Sequence, residues 1–154
     1  MQPPDRYGFE LALLLAGAFR AVIDRLHAEL AARGHPDARP VHGFALQAIG
    51  PDGVTISELG RRLGVSKQAA AKTARGLEAL GYATRRADTN DSRATVLRRT
   101  PLADDLLRLS AELFEREMEV WVESLGEDRF RALMRDLETI RRGAKIGDLS
   151  GWLR

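Results

Sequence analysis

The sequence predicts a mainly helical chain with one small β-hairpin, an α+β class. Three observations carry this. Apolar residues recur at three- and four-residue steps through both ends of the 154 residues, the period of a helix with one buried face. Between 55 and 81 a capped helix, a Gly-containing turn and a second capped helix follow one another, the helix-turn-helix layout. Directly after them, two alternating segments flank the turn-forming run "DTNDS", which reads as a hairpin.

The first helix spans about Phe9 to Arg33. Leu11, Leu15, Phe19, Val22, Leu26 and Leu30 form its stripe, widened by Leu13, Leu14 and Ile23, and so wide a face suits more than one neighbour. "GHPDARP" ends it, because glycine and proline disfavour a helix interior. A short helix, Val41 to Ile49, is closed by "GPDG".

In "TISELGRRLGVS" Thr55 and Glu58 have the spacing of a capping box, whose reciprocal hydrogen bonds satisfy free amides at a helix start. Gly64 suits the left-handed conformation that ends a helix. Ser66 caps the next one, "KQAAAKTARGLEAL", as a short hydroxyl does well. Its inward face is Ala70, Thr73, Ala74, Leu77 and Leu80; Lys67, Gln68, Ala71, Lys72 and Arg75 point out. Small residues at 69 to 71 let the backbone approach a partner closely. Gly81 stops this helix, and Tyr82 packs back on Leu77 as in a Schellman motif.

Tyr82 to Ala87 and Ala94 to Arg98 are the expected strands, and a hairpin placed directly after a helix-turn-helix is a wing. Arg93 stands at its tip with Asp91 in reach to fix its direction. A guanidinium on a thin hairpin can enter a minor groove, where a narrow groove makes the potential most negative; the alternative is an ordinary Asp–Arg turn salt bridge. From Val54 to Arg99 ten Lys or Arg face four acids, a net of +6, whereas the rest of the chain is at −4. A basic middle between acidic ends is expected of a chain that presents one surface to a polyanion.

Thr100 and Pro101 make a helix start, a cap followed by proline at the first helical position. Leu102, Leu106, Leu109, Leu113 and Val120 or Trp121 continue as an apolar seam; "SLGEDRF" breaks it, and Phe130, Leu133, Leu137 and Ile140 resume on another helix. Three striped helices at opposite ends of the sequence must pack together. An ordinary bundle within one chain is the alternative, but a chain this short, already committing about fifty residues to the middle unit, is expected to complete that core with a second copy. The tail residues Leu149, Trp152 and Leu153 are expected to pack on those helices.

The run from Thr55 to Thr100, with Asp91 and Arg93 on an Asp-x-Arg wing signature, resembles the MarR family of winged helix-turn-helix regulators, named for multiple antibiotic resistance. The order of two helices, helix-turn-helix, wing and two more helices covers almost the whole chain. The resemblance implies a winged helix-turn-helix domain (51–100) plus a helical dimerisation domain formed by N- and C-terminal helices (1–50 and 101–154), intertwined into one unit. It implies a homodimeric transcriptional repressor that binds inverted-repeat operators in double-stranded DNA and is released by a small aromatic or lipophilic effector. A winged-helix architectural or protein-interaction module without an effector pocket is the alternative.

The DNA-facing set is Thr55, Ser66, Lys67, Gln68, Ala69, Lys72, Arg75, Arg85, Arg86, Asp91 and Arg93. Ala69 and Ala71 stand where many relatives have hydroxyls, so base reading rests on Gln68, suited to an adenine edge, and Lys72, suited to guanine. Arg99 stands where an apolar residue is usual; it snorkels, pairs with an acid or faces the cleft beside the wing. The effector pocket is expected where the first two helices meet their partners, around Phe19, His42, Phe44 and Gln47, which mix aromatic and polar groups as such pockets do.

Other classes find little support. Cysteine is absent, which removes thiol chemistry and disulfides. No catalytic signature such as Gly-x-Ser-x-Gly or a phosphate loop occurs, so no catalytic residue and no cofactor are expected. His27, His35 and His42 match no standard metal-ligand spacing and read as scattered surface histidines. No apolar run approaches the roughly 18 residues of a membrane span, and the start lacks a signal-peptide pattern. The expected place is the cytoplasm, on the nucleoid when bound to DNA.

Overall fold

The computed structural model describes residues 8–88, 90–91 and 95–143. The order is α1 (Gly8–Ala32), α2 (Pro40–Ile49), α3 (Ile56–Leu63), α4 (Lys67–Ala79), β1 (Ala83–Ala87), β2 (Thr95–Arg99), α5 (Pro101–Leu125) and α6 (Glu127–Ile140). The strands pair antiparallel with Ala83 opposite Arg99 and Ala87 opposite Thr95. Val54 adds a bridge on the far side of β2: its N–H donates to Leu97 O and its carbonyl accepts from Leu97 N–H, at 2.9 and 2.8 Å.

Local chemistry sets the boundaries. Pro40 opens α2, where its missing N–H costs nothing. Gly64 ends α3 at φ 64°. At the end of α4, Gly81 sits at φ 78°, its N–H bonds Glu78 O, and Tyr82 N–H reaches Leu77 O at 2.8 Å, the full Schellman pair. That turn claims Tyr82, so β1 begins one residue later than expected. Arg99 pairs with Ala83, so β2 extends one residue further. The Thr100 hydroxyl accepts from Ala103 N–H to cap α5 and donates to Gly81 O at 2.6 Å, locking the start of α5 to the end of α4.

The buried core joins Leu26 and Leu30 of α1, Leu46 and Ile49 of α2, Leu59 and Leu63 of α3, Leu77 of α4, Leu97 of β2, and Leu106, Leu109 and Leu113 of α5. α1 packs on α5, and α3 on α4. A bidentate ion pair crosses the first contact: the Arg25 guanidinium donates to both Glu117 oxygens, the shortest bond being 2.6 Å, the strong planar geometry for this pair.

Three expectations need correction, and for Arg99 one of the three alternatives is found. Only half of the capping box forms: Glu58 N–H donates to Thr55 Oγ1 at 3.2 Å, but the Glu58 carboxylate turns to Arg61 and Arg62. The seam of α5 starts at Ala103 rather than Leu102, and Leu102 and Val120 face outward. Arg99, 20% exposed, pairs with an acid: its Nε lies 3.0 Å from Asp104 Oδ1, though that N–H has no directed hydrogen bond among the described residues. His35 is no surface histidine; it is 2% exposed.

Among the described residues, much apolar surface is uncovered. Phe9, Leu11, Leu13, Leu14, Leu15 and Phe19 of α1 are exposed, as are Phe114 and Met118 of α5 and Met134 and Ile140 of α6. α6 buries no residue fully. No helix among the described residues is long and apolar enough to cross a membrane.

Candidate nucleic-acid interface

The site begins with how closely α3 and α4 cross. At Gly60 an added Cβ would lie 3.1 Å from Val65 O and 3.5 Å from Ala70 Cβ, so the crossing favours a residue without a side chain. Thr55 caps α3 and Ser66 caps α4, accepting from Ala69 N–H at 3.1 Å. Ala70, Ala74 and Leu77 of α4 are buried. At about 100° per residue, Lys67, Ala71, Arg75, Gln68 and Lys72 then fall within an outward arc of about 140°. Lys67, Gln68, Lys72 and Arg75 are exposed, while Ala69 and Ala71 are half-buried.

The cations divide into two groups. Lys67, Lys72, Arg75, Arg86 and Arg98 form no ion pair with the described residues. Arg61, Arg62 and Arg85 are engaged. Glu58 accepts from Arg61 and from Arg62, and these bonds, Arg61 first, push its carboxyl down to about 2. Arg62 also donates to Ala48 O at 2.8 Å, satisfying a carbonyl in the last turn of α2. Arg85 Nε lies 2.9 Å from Glu78 Oε1, so this expected DNA-facing residue braces β1 against α4. Asp91 is exposed; Arg93 and the tail residues Leu149, Trp152 and Leu153 lie outside the described residues.

A cavity of about 460 Å³ opens between α1, α2 and α5, with Arg62 and Leu63 of α3 at its wall. Its walls are mainly apolar, with Leu26, Leu30, Phe44, Leu107 and Phe114, and His27, Arg39, Gln47, Arg62 and Ser110 supply polar groups. Of the four expected effector residues, Phe44 and Gln47 line it. Phe19 is exposed on α1. His42 sits instead beside Tyr82, with ring centroids 6.4 Å apart; burial first, then Arg39 and His27, holds its imidazole below the ordinary value.

Sequence reasoning missed the group around His35. Its Nδ1 lies 2.9 Å from Tyr82 Oη and its Nε2 3.0 Å from Asp105 Oδ2. The Asp105 carboxyl is held below its ordinary range by Arg108 first and His35 second. A carboxylate only accepts, so Nε2 donates; in the neutral imidazole Nδ1 then accepts from the tyrosine hydroxyl. The partners stand 47 and 70 residues away, and no local pattern links them.

A capped helix pair with a paired hairpin beside it defines a winged helix-turn-helix protein. Residues 40–94 match the profile described as MarR family, a family of DNA-binding transcription regulators rather than enzymes. No curated protein matches the chain in sequence. Among solved structures, FabT of Streptococcus pneumoniae in complex with DNA is 19% identical, with TM-score 0.70 over 86% of this chain and 94% of that one. The transcriptional regulator Tm0710 of Thermotoga maritima is 26% identical, with TM-score 0.57 over 86% and 92%. PcaV of Streptomyces coelicolor, in complex with its natural ligand, is 18% identical, with TM-score 0.60 over 94% and 100%.

Proposed function

We propose that the chain is a sequence-specific, homodimeric transcriptional repressor that binds palindromic operators and is released by a small aromatic or lipophilic ligand. The observation that carries this reading is the outward arc of α4, where Gln68 stands among Lys67, Lys72 and Arg75, cations that form no ion pair with the described residues. A helix so furnished suits a major groove, with Gln68 and Lys72 reading base edges and Lys67, Arg75 and Arg86 meeting phosphate. The uncovered apolar faces of α1, α5 and α6 support a second copy as the other half of the fold. The cavity lined by Phe44 and Gln47 supports effector release over an architectural role, because it is apolar with a few orienting polar groups. A ligand there acts through differential affinity for the DNA-competent and DNA-incompetent spacings of the two wings.

Selection of bound fragments from random DNA tests the reading. An inverted repeat with half-sites about one helical turn apart, roughly 34 Å, is the expected product; unenriched binding would instead favour an architectural module. On the selected site Gln68→Ala should cost about 1–3 kcal/mol, and less on random DNA. Arg86→Ala should weaken all sequences alike and flatten the slope of log affinity against log salt by about 0.9. A panel of small aromatic acids and lipophilic drugs that changes neither melting temperature nor operator affinity removes the effector.

A further inference from the structure

We propose that His35 is a positioning residue that couples the cavity to the end of α4 and the root of the wing; this rests on the reading of that cavity as an effector site. His35 touches both sides of the connection. On the cavity side, its N–H donates to Leu30 O at 2.9 Å and its carbonyl accepts from Ala38 N–H at 3.3 Å, and both Leu30 and Ala38 line the cavity. On the other side its ring meets Tyr82, stacked at 5.7 Å between centroids and bonded at 2.9 Å. Tyr82 is the residue whose N–H closes α4 on Leu77 O and whose carbonyl accepts from Thr100 N–H at 3.1 Å. Asp105, the third member, precedes Leu106 and Leu107, which also line the cavity.

The imidazole therefore joins three pieces: the turn between α1 and α2, the junction of α4 with β1, and the first turns of α5. A ligand that displaces this turn must carry the ring along or pull it from the tyrosine hydroxyl or the carboxylate. Both ring nitrogens are already used and the side chain is 1% exposed, so water offers little replacement, and an unmade buried hydrogen bond is penalised in full. Carrying the ring is the cheaper course, and it moves the end of α4 and the start of β1. Packed interfaces respond to such displacements by switching between discrete arrangements rather than by bending smoothly.

A built-in occupant tests this without knowledge of the ligand. Gly43 lines the cavity, and a Cβ added there meets nothing within 4 Å, so Gly43→Phe places an aromatic ring at the cavity. The measurements are affinity for the selected operator and hydrogen exchange at the Tyr82 and Thr100 amides, in four chains: unaltered, Gly43→Phe, Tyr82→Phe and the double variant. Coupling is shown only by such a cycle. The expected result is a change of about fivefold or more in operator affinity on Gly43→Phe, with altered exchange at both amides, and a response that shrinks toward unity when Tyr82 is Phe. Asp105→Asn, at the exposed end of the group, gives a second cycle if Tyr82→Phe fails to fold. An equal response to Gly43→Phe with and without the tyrosine hydroxyl overturns the coupling and leaves the effector reading standing. No response in the otherwise unaltered chain also overturns it; the ligand panel then judges the effector reading separately, since release by a ligand would survive.

Discussion

Glu58 shows how one side chain divides its work. Its amide is capped by Thr55, while its carboxylate holds Arg61 and Arg62 and so keeps Arg62 aimed at Ala48 O. Because the folded-state carboxyl is depressed, its contribution to stability is complete above the ordinary value of 4.5 and is lost as pH falls toward about 2. Thermal melts across that window should show a steeper acid limb for the unaltered chain than for Glu58→Gln; identical limbs would mean the bonds to arginine add nothing. The Thr55–Glu58 spacing made the cap legible in the sequence. The carboxylate's destination was not, since arginines three and four residues on compete for it. His35 was less legible still: burial and both partners come from the tertiary fold.

Helix boundaries within the helix-turn-helix were legible because each is set by neighbours in sequence: Thr55, Gly64, Ser66 and Gly81 all act within a turn of where they stand. The hairpin was placed but shifted by one residue, since alternation cannot tell that the Schellman turn claims Tyr82. The brace from Arg85 to Glu78 crosses from strand to helix, and no period of either reveals it. Gly53 belongs at this scale. It sits at φ 83°, just before the Val54 bridge, and an added Cβ would come within 2.9 Å of Leu97 O and 2.8 Å of Arg98 Cγ. Gly53→Ala should destabilise the fold by about 1–3 kcal/mol, measured by urea denaturation; an unchanged midpoint would show that β2 yields to the methyl group at no cost.

At the scale of the molecule, the stripes on α1, α5 and α6 exceed what the described residues cover. Leu13 and Leu14 are each 63% exposed, and burying such a side chain is worth about 1.5–3 kcal/mol. The proposed dimer would recover this. Leu14→Glu should therefore leave the core of the protomer intact but convert the chain to monomer in sedimentation at micromolar concentration, and an unaltered chain that sediments as monomer removes the dimer. The stripes themselves were legible as a period; how many copies share them was not, because a period names a face and not its occupant.

The pairing of α1 with α5 also fixes an order of events during synthesis. Arg25 waits for a glutamate 92 residues further along the chain, and the segment from α2 to β2 is translated in between. At about 5–20 residues per second, Leu26 and Leu30, the buried leucines of α1, leave the ribosome on the order of 5–20 s before α5 exists to receive them. The winged unit, whose helix caps lie close in sequence, is complete by then. α1 is thus packed well after it is made, and it spends that interval as an apolar helix open to any chaperone that waits at the exit tunnel. Ribosome-arrested chains that end before α5 should cross-link to such a factor through Leu26 and Leu30 of α1, and chains whose α5 has cleared the tunnel should not do so through these two residues.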